Sequence, residues 1–361
     1  MEPIIVISIL IGILVLMSLL LVAAETAFGS SGEKVLTVND SLQIPINESD
    51  TALNILSKNQ IYIPSACGGK ATCGLCKVKV TEGAFDLKPT EEPFIGPKDA
   101  ANGIRLSCQT RIAQDTKIEI PESLFGAKEY EVELAALEDL TYDIKLVRFK
   151  MVNPKTLDFH PGQYAQFIIP GVEAVRAYSF AGDAKVKDHV EFLVRLVHKG
   201  VATTYIHEVM QPGDPMKITG PYGDFYLREE SDRPIVCIAG GSGKAPIRSI
   251  LYRLRDLNMP RKVRYFFGAK TKKDLYYTEE FVELQKEFPN FEYIPALSEP
   301  LPEDNWEGET GLITDVLDRM TGDLSGSEAY LCGSPGMIHA CIAVLNKHDL
   351  PREHTYYDSF A

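Results

Sequence analysis

The sequence predicts a multidomain chain. A transmembrane helix precedes an α+β domain of β-grasp type, an antiparallel β-barrel and an α/β domain built on a parallel sheet. Three observations carry this reading. Ile4 to Ala24 is a run of 21 residues without a charge, enough at about 1.5 Å per residue to cross a hydrocarbon core of about 30 Å. From Lys34 to about Leu227, short runs rich in Val, Ile and Tyr are separated by turn residues. From Pro234 strands alternate with helices, the pattern of a parallel sheet covered on both faces.

The apolar run reads as an anchor. Ala23 and Ala24 could sit near a signal-peptide cleavage site, but no basic segment precedes the run, which exceeds the usual apolar length of about 7–15 residues. Only Glu2 is charged before it and Lys34 is the first basic residue after it, so flanking charge does not orient it. Gly29-Ser30-Ser31-Gly32 reads as a flexible linker. The expected units are residues 1–28, 33–125, 126–228 and 229–361.

A net charge of −13 argues against nucleic acid as a partner, because binding phosphates takes a basic surface. The cysteines number seven, an odd count in a large chain, and suit a reducing compartment better than a disulfide framework.

In the first globular unit, Lys34–Val38 and Gln43–Asn47 read as strands joined at Asn39-Asp40. Asp50 is positioned to cap a helix from Thr51 to about Asn59. Strands at Cys76–Val80 and Lys117–Ile120 flank an irregular stretch. The barrel strands are expected at Tyr130–Leu134, Lys145–Met151, Tyr164–Ile169, His189–Val197 and Met216–Thr219, with a helix at Thr203–Met210. In the last unit, strands at Ile235–Ala239, Val263–Gly268, Phe291–Leu297 and Ala329–Cys332 alternate with helices at Pro246–Leu257, Glu279–Phe288, Leu312–Met320 and Met337–His348. A final strand runs from Thr355 to Phe360.

Cys67-Gly-Gly-Lys-Ala-Thr-Cys73-Gly-Leu-Cys76, with Cys108 following 32 positions later, is the strongest chemical signal. An iron–sulfur cluster needs four thiolates and backbone N–H groups near its sulfides. Three cysteines on one loop supply that convergence, and Gly68, Gly69 and Gly74 let the backbone approach. A structural zinc site usually pairs its cysteines as two CxxC knuckles instead.

Arg176-Ala177-Tyr178-Ser179 ends a barrel strand and is, alone, a short coincidence. In a barrel, Tyr178 could pack on an isoalloxazine, Ser179 could bond its N5 edge and Arg176 could pair with a pyrophosphate. Gly200-Val-Ala-Thr203-Thr204 opens a helix, either to hold the same pyrophosphate or simply to cap the helix. Gly240-Gly241-Ser242-Gly243-Lys244-Ala245-Pro246 follows a Val/Ile strand and opens a helix, the context of a dinucleotide loop. Cys332-Gly333-Ser-Pro-Gly-Met337 repeats that arrangement at a later strand end. Its thiol stands beside a nicotinamide or is a small buried residue. Cys237 and Cys341 are expected in the core.

These features, in this order, resemble the ferredoxin-reductase superfamily carrying a fused plant-type ferredoxin. The anchor and the five residues between Cys67 and Cys73 narrow the resemblance to the family of F subunits of sodium-translocating NADH:quinone oxidoreductases. Pro64-Ser-Ala-Cys-Gly-Gly, Arg105-Leu-Ser-Cys-Gln, Leu297-Ser-Glu-Pro and the closing Asp358-Ser-Phe360-Ala belong to the match. Lys244, where an apolar residue is expected, and the short stretch between Pro170 and Arg176 depart from it.

The resemblance implies a [2Fe–2S] ferredoxin domain, an FAD barrel and an NAD domain. It implies hydride transfer from NADH to FAD, then single electrons to the cluster, to cofactors of partner subunits and to quinone. Arg176 to Ser179, Gly200, Thr203 and Thr204 would bind FAD. The Gly240–Gly243 loop, Ala245, Pro246, Cys332, Gly333 and Met337 would bind the dinucleotide. Ser179, Cys332 and Phe360, the last stacked on the flavin, would serve catalysis. The implied location is a bacterial inner membrane, with residues 4–24 spanning the bilayer once and the catalytic domains in the cytoplasm. Lys270, Lys272 and Lys273 are either solvated or placed for a 2′-phosphate, with NADH the expected donor. The alternatives are a membrane-tethered reductase component of a multicomponent oxygenase and a non-enzymatic redox sensor.

Overall fold

The computed structural model describes residues 11–20, 34–83, 85–171 and 174–360. Residues 11–20 are helical and exposed. The rest of the expected membrane span and the linker lie outside the described residues, among which no helix is long and apolar enough to cross a membrane.

In the first unit five strands order as Leu42–Ile46, Lys34–Val38, Thr116–Glu119, Lys77–Glu82 and Ile104–Leu106. The hairpin turns at Asn39 and Asp40, both with positive φ (50° and 53°), as the twist of a tight hairpin demands. Leu36, Val38, Ile44 and Ile46 alternate inward against the helix Ala52–Lys58, which buries Ala52, Ile55 and Leu56. Thr51, rather than Asp50, caps that helix, accepting from Asn54 N at 3.3 Å. Asp50 instead binds Lys58 at 2.9 Å. The stretch expected to be irregular holds a short helix, Pro97–Ala101, and the strand Ile104–Leu106. Side chains organise the remainder: buried Glu91 accepts from Leu106 N at 2.7 Å and Lys88 N at 2.9 Å.

The second unit is a six-stranded antiparallel sheet ordered Ala174–Ser179, Tyr164–Ile169, Pro215–Tyr222, Lys128–Asp139, Ile144–Asn153 and His189–Arg195. A bridge between Phe180 and Phe192 joins its two ends and closes the barrel. Phe149, Phe167, Phe180 and Phe192 fill it with contacts between ring centroids of 4.7–6.2 Å, within the range favoured for aromatic pairs. The helix opens at Val201, two residues before its expected start, and continues as a wider π-turn over Tyr205–Val209.

The third unit is a parallel sheet of six strands ordered Glu309–Thr310, Phe291–Leu297, Val263–Ala269, Ile235–Gly240, Glu328–Gly333 and Thr355–Ser359. The order reverses at Ile235–Gly240, and ligands of such sheets bind at the carboxyl ends of strands beside that switch. Helices Lys244–Asp256, Thr278–Glu287, Ile313–Met320 and Pro335–Lys347 match the expected ones within three residues at either end. Barrel residues Ile144, Leu146, Ala181 and Leu193 share one apolar core with Cys237, Ile247 and Tyr265 of the sheet domain. The two units therefore pack as one body.

Candidate active site

The four cysteines stand as two pairs. Cys67 and Cys73 Sγ are 3.4 Å apart, and the Cys76 and Cys108 thiols lie close enough to shift each other's ionisation. Tetrahedral metal–sulfur bonds of about 2.3 Å place two ligand sulfurs of one metal about 3.7 Å apart. Two close pairs are the donor set of a cluster with two irons. Among the described residues no three His, Cys, Asp or Glu side chains gather as they would around a single ion. Burial works against ionisation of Cys67, but the N–H groups of Thr72 and Lys70 aimed at its sulfur bring it to about 7. The thiol of Cys76 draws Cys108 down to about 6, against burial. In each pair one sulfur is thus favoured over its partner for the thiolate form, the one that binds metal.

Glycine is required where the loop is tightest: Gly74 has φ +68°, and a Cβ there would lie 2.5 Å from the Phe94 ring. Gly68 and Gly69 turn the chain with φ of +65° and +84°. Their own N–H groups go to Ser65 and not to the cysteines. The donors aimed at sulfur come from Lys70, Ala71, Thr72 and Leu75.

The cysteine loop rests on the barrel strands carrying the Arg-Ala-Tyr-Ser motif. A Cβ on Gly68 would lie 3.5 Å from Val175 N. Gln166, 3% exposed, turns its amide oxygen to Ser65 N at 2.5 Å and Ala66 N at 3.1 Å. Among the described residues, the other hydrogen bonds and ion pairs of residues 34–120 stay within that unit.

On the same strand pair the structure leaves the buried Tyr178 Oη and Ser179 Oγ without a well-formed hydrogen bond, the Asp358 carboxyl being near Ser179. Buried polar groups are nearly always satisfied, so these await a polar planar ligand, which an isoalloxazine is. Among the described residues the Arg176 guanidinium bonds to its neighbour's carbonyl, Val175 O, at 2.8 Å. The Val201–Thr204 turn packs against the Ala174–Ser179 strand. Thr203 is not free to bind a phosphate: its hydroxyl donates to Gly200 O (3.2 Å) and accepts from Val197 N (3.1 Å). A Cβ on Gly200 would lie 2.6 Å from that hydroxyl. Nor does Thr203 cap the helix, whose N-cap is Gly200 with no side-chain cap: its hydroxyl serves the backbone of the turn, while Thr204 is left half-exposed.

The two glycine loops of the sheet domain interlock. A Cβ on Gly243 would stand 2.2 Å from Cys332 O, one on Gly240 would stand 2.8 Å from Met337 Sδ, and one on Gly333 would stand 2.5 Å from Met337 Cε. Beside them lies a cleft of about 430 Å³ lined by Gly241, Gly268, Ser298, Glu299 and Met337 of the sheet domain and by Arg195 of the barrel. Ala245 and Pro246 are buried in the first helical turn, so they shape the cleft by packing. Cys237 and Cys341 are buried, as expected.

Asp358 is a site residue that strand patterning did not single out. It is the parallel register partner of Cys332, and its carboxyl faces Ser179. Burial raises it from 3.8 to about 6, with the Ser179 hydroxyl working the other way. Cys332 is fully buried, which pushes its thiol well above the ordinary range. Phe360 donates its N–H to Gly333 O at 2.9 Å and packs on the core that includes Cys332. Tyr164, half-buried, lines with Asp358 a cleft that also takes in Leu75 of the cysteine loop.

Three family models match the chain in the order of its units. They are a 2Fe-2S iron-sulfur cluster binding domain over residues 36–113, an oxidoreductase FAD-binding domain over 131–226 and an oxidoreductase NAD-binding domain over 237–342. Fold, donor set and family models together make this an oxidoreductase that works with a nicotinamide dinucleotide, FAD and a [2Fe–2S] cluster. Among solved structures it is similar to the cytochrome P450 reductase GcoB of Amycolatopsis (TM-score 0.76, 27% identity, 91% of this chain and 98% of that one). The ferredoxin reductase in carbazole 1,9a-dioxygenase shares the fold (TM-score 0.70, 24% identity, the same coverage).

Full-length relatives are more specific, and two of them are Na(+)-translocating NADH-quinone reductase F subunits. The one from Klebsiella pneumoniae is 33% identical over 96% of this chain and 97% of its own. The one from Pseudomonas aeruginosa is 32% identical over 94% of each. The chain belongs to the family of Na(+)-translocating NADH-quinone reductase F subunits.

Proposed function

We propose that this chain is the component at which electrons from NADH enter a membrane quinone reductase. The observation that carries this is the continuity of the site: Cys332 lies in register with Asp358, whose carboxyl faces Ser179, on a strand against which the cysteine loop packs at Gly68 and Val175.

FAD, when bound, supplies the exchange between a two-electron hydride and the one-electron steps of an iron–sulfur cluster. The residues do the positioning. The Gly240–Gly243 loop takes the dinucleotide at the carboxyl end of its strand, with Met337 and Cys332 closing the nicotinamide end. Ser179 and Tyr178 offer their hydroxyls to the flavin edge, and Arg176 and Thr204 its pyrophosphate. Phe360, held by its N–H to Gly333 O, would lie against the flavin and would give way to the nicotinamide. Cys67 with Cys73, and Cys76 with Cys108, would each hold one iron. No general base is needed for hydride transfer. Asp358 instead keeps a proton donor or acceptor beside Ser179.

NADH is favoured over NADPH by the fate of the lysines. Lys270 pairs with Glu299 at 3.5 Å, and Lys272 Nζ donates to Asp304 O at 3.0 Å, so two of the three lysines already have partners and the exposed Lys273 is the one left to meet a 2′-phosphate. Residues 4–24 supply one membrane span, with the domains on the cytoplasmic side where NADH is made. Partner subunits of the complex then receive the electron. A chain without residues 1–28 is expected in the soluble fraction.

Anaerobic NADH titration of the full chain, followed by absorbance and EPR, tests the reading. Flavin bleaching followed by a rhombic [2Fe–2S] signal is expected. A flavin that NADH fails to bleach would leave a redox sensor as the better account. Reduction of an oxygenase partner, and of no quinone reductase, would favour the oxygenase alternative.

A further inference from the structure

Lys244 opens the helix that follows the dinucleotide loop and is fully buried, which is rare for lysine. Its ammonium sits over the Phe267 ring at 3.7 Å and the Tyr276 ring at 4.4 Å, with Phe281 and Tyr293 at 5.2 and 5.9 Å. Its hydrogen bond goes to Tyr276 O. Burial holds this amine well below the ordinary lysine range, with Glu280 opposing that and Arg248 adding to it. An apolar side chain would fill the same space at lower cost, so the amine itself has a use.

That use lies one step further on. The residue after Tyr276 is Tyr277, whose φ of +56° is strained for a residue with a bulky side chain. The strained peptide is held on both sides, by Lys244 on the carbonyl of Tyr276 and by the Arg248 guanidinium 4.2 Å over the Tyr277 ring. Held so, Tyr276 donates its hydroxyl to Gly241 O at 2.7 Å. Gly241 itself has a φ of +55° and lines the dinucleotide cleft. A trans peptide points its carbonyl and its following N–H in opposite directions. Drawing Gly241 O towards Tyr276 therefore turns the N–H of Ser242 the other way, to where an anionic group of the dinucleotide can accept from it.

We propose that Lys244 and Tyr276 are positioning residues for the dinucleotide: Lys244 fixes Tyr276, and Tyr276 fixes the Gly241–Ser242 peptide as an anion donor. The proposal rests on the reading of this cleft as the NADH site and names what shapes it. Both residues bear on the Gly241 side of the cleft and not on the strand of Tyr178 and Ser179, so both act on affinity and not on the hydride step.

The experiment compares the full-length holoenzyme with Tyr276→Phe, Lys244→Met and the double variant. NAD+ affinity is measured by calorimetry, and KM and kcat for NADH with ferricyanide as acceptor. Loss of one oriented hydrogen bond predicts a rise of about five- to tenfold in both Kd and KM, with kcat within about twofold of the parent. The double variant should be no weaker than Tyr276→Phe, because the two residues act in series. An unchanged Kd in Tyr276→Phe, or effects that multiply in the double variant, would overturn the proposal. Tyr276→Phe keeps the ring and the cage, so it decides the matter even where Lys244→Met fails to fold. The parent's own binding of NAD+ tests the underlying site assignment separately: a parent that binds none overturns both.

Discussion

The side chain of Gln166 in the barrel accepts from the backbone N–H of Ala66, one residue before the first cluster cysteine, at 3.1 Å. With Ser65 N on the same oxygen, this buried amide ties the loop of Cys67 and Cys73 to the strand beside Tyr178 and Ser179. Replacing Gln166 with Leu removes both bonds, each worth about 1 kcal/mol. The docked arrangement should fall in population by about tenfold or more. Stopped-flow absorbance should show flavin reduction by NADH at the parental rate and cluster reduction slowed. Gln166→Glu keeps an acceptor and should recover most of the rate; equal slowing in both variants would count against the tie.

The paired geometry of the cysteines makes Cys76 indispensable and Cys341 dispensable. Cys76→Ala should purify with less iron and no [2Fe–2S] EPR signal, while NADH still bleaches its flavin. Cys341→Ala, in an apolar core, should keep both signals. Retention of the cluster signal in Cys76→Ala would remove it from the ligand set.

Asp358 sets a pH dependence of stability. Its acid group is raised to about 6 in the folded protein, above an unfolded value near 3.9. The stability it contributes is therefore whole below about pH 4 and is lost as the pH rises through about 6. Asp358→Asn does not ionise, so its melting temperature should exceed the parent's at pH 8 and match it at pH 4. A parallel offset at both pH values would mean that the carboxyl does not titrate there.

Gly243→Ala would drive a methyl to 2.2 Å from Cys332 O, whereas a Cβ on Gly126 meets nothing within 4 Å. The first substitution should cost about 2 kcal/mol or more in urea unfolding, with weaker NADH binding. Gly126→Ala should be neutral.

Glu299 pairs with Lys270 at the mouth of the dinucleotide cleft. Glu299→Ala removes a negative charge and frees a positive one, so kcat/KM for NADPH should rise several-fold while that for NADH changes little. This exposed pair is weak by itself. The expected effect comes from the charge that a 2′-phosphate would meet.

Much of this was legible in the chain. The alternation of Leu36, Val38, Ile44 and Ile46 and the strand–helix rhythm after Pro234 are local patterns, and they survive folding. The four cysteines could be read because loop spacing alone nearly specifies their convergence. What escaped depends on partners distant in sequence. Asp358 gains its role only from lying in register with Cys332, and Gln166 looks like any polar strand residue until the cysteine loop lies on it. Thr203 was equally ambiguous from sequence, since a hydroxyl opening a helix can serve a ligand or the backbone. Lys244 stood out as a departure from the family pattern, but four aromatic rings from three separate segments were needed to give it a place.

The pairing of Cys332 with Asp358 has a further consequence. Side chains along a strand alternate between faces, so a slip of one residue would present Tyr357 or Ser359 in place of Asp358 and turn the neighbouring residues over. The alignment of thiol and carboxyl is thus quantised: it is delivered whole by the hydrogen-bond ladder or not at all. Thr355–Ser359 is an edge strand, laddered on one side only, so its register rests on that single ladder. Mutations that loosen this edge should yield a mixture of fully competent and inert molecules, and not a uniform population of slower ones.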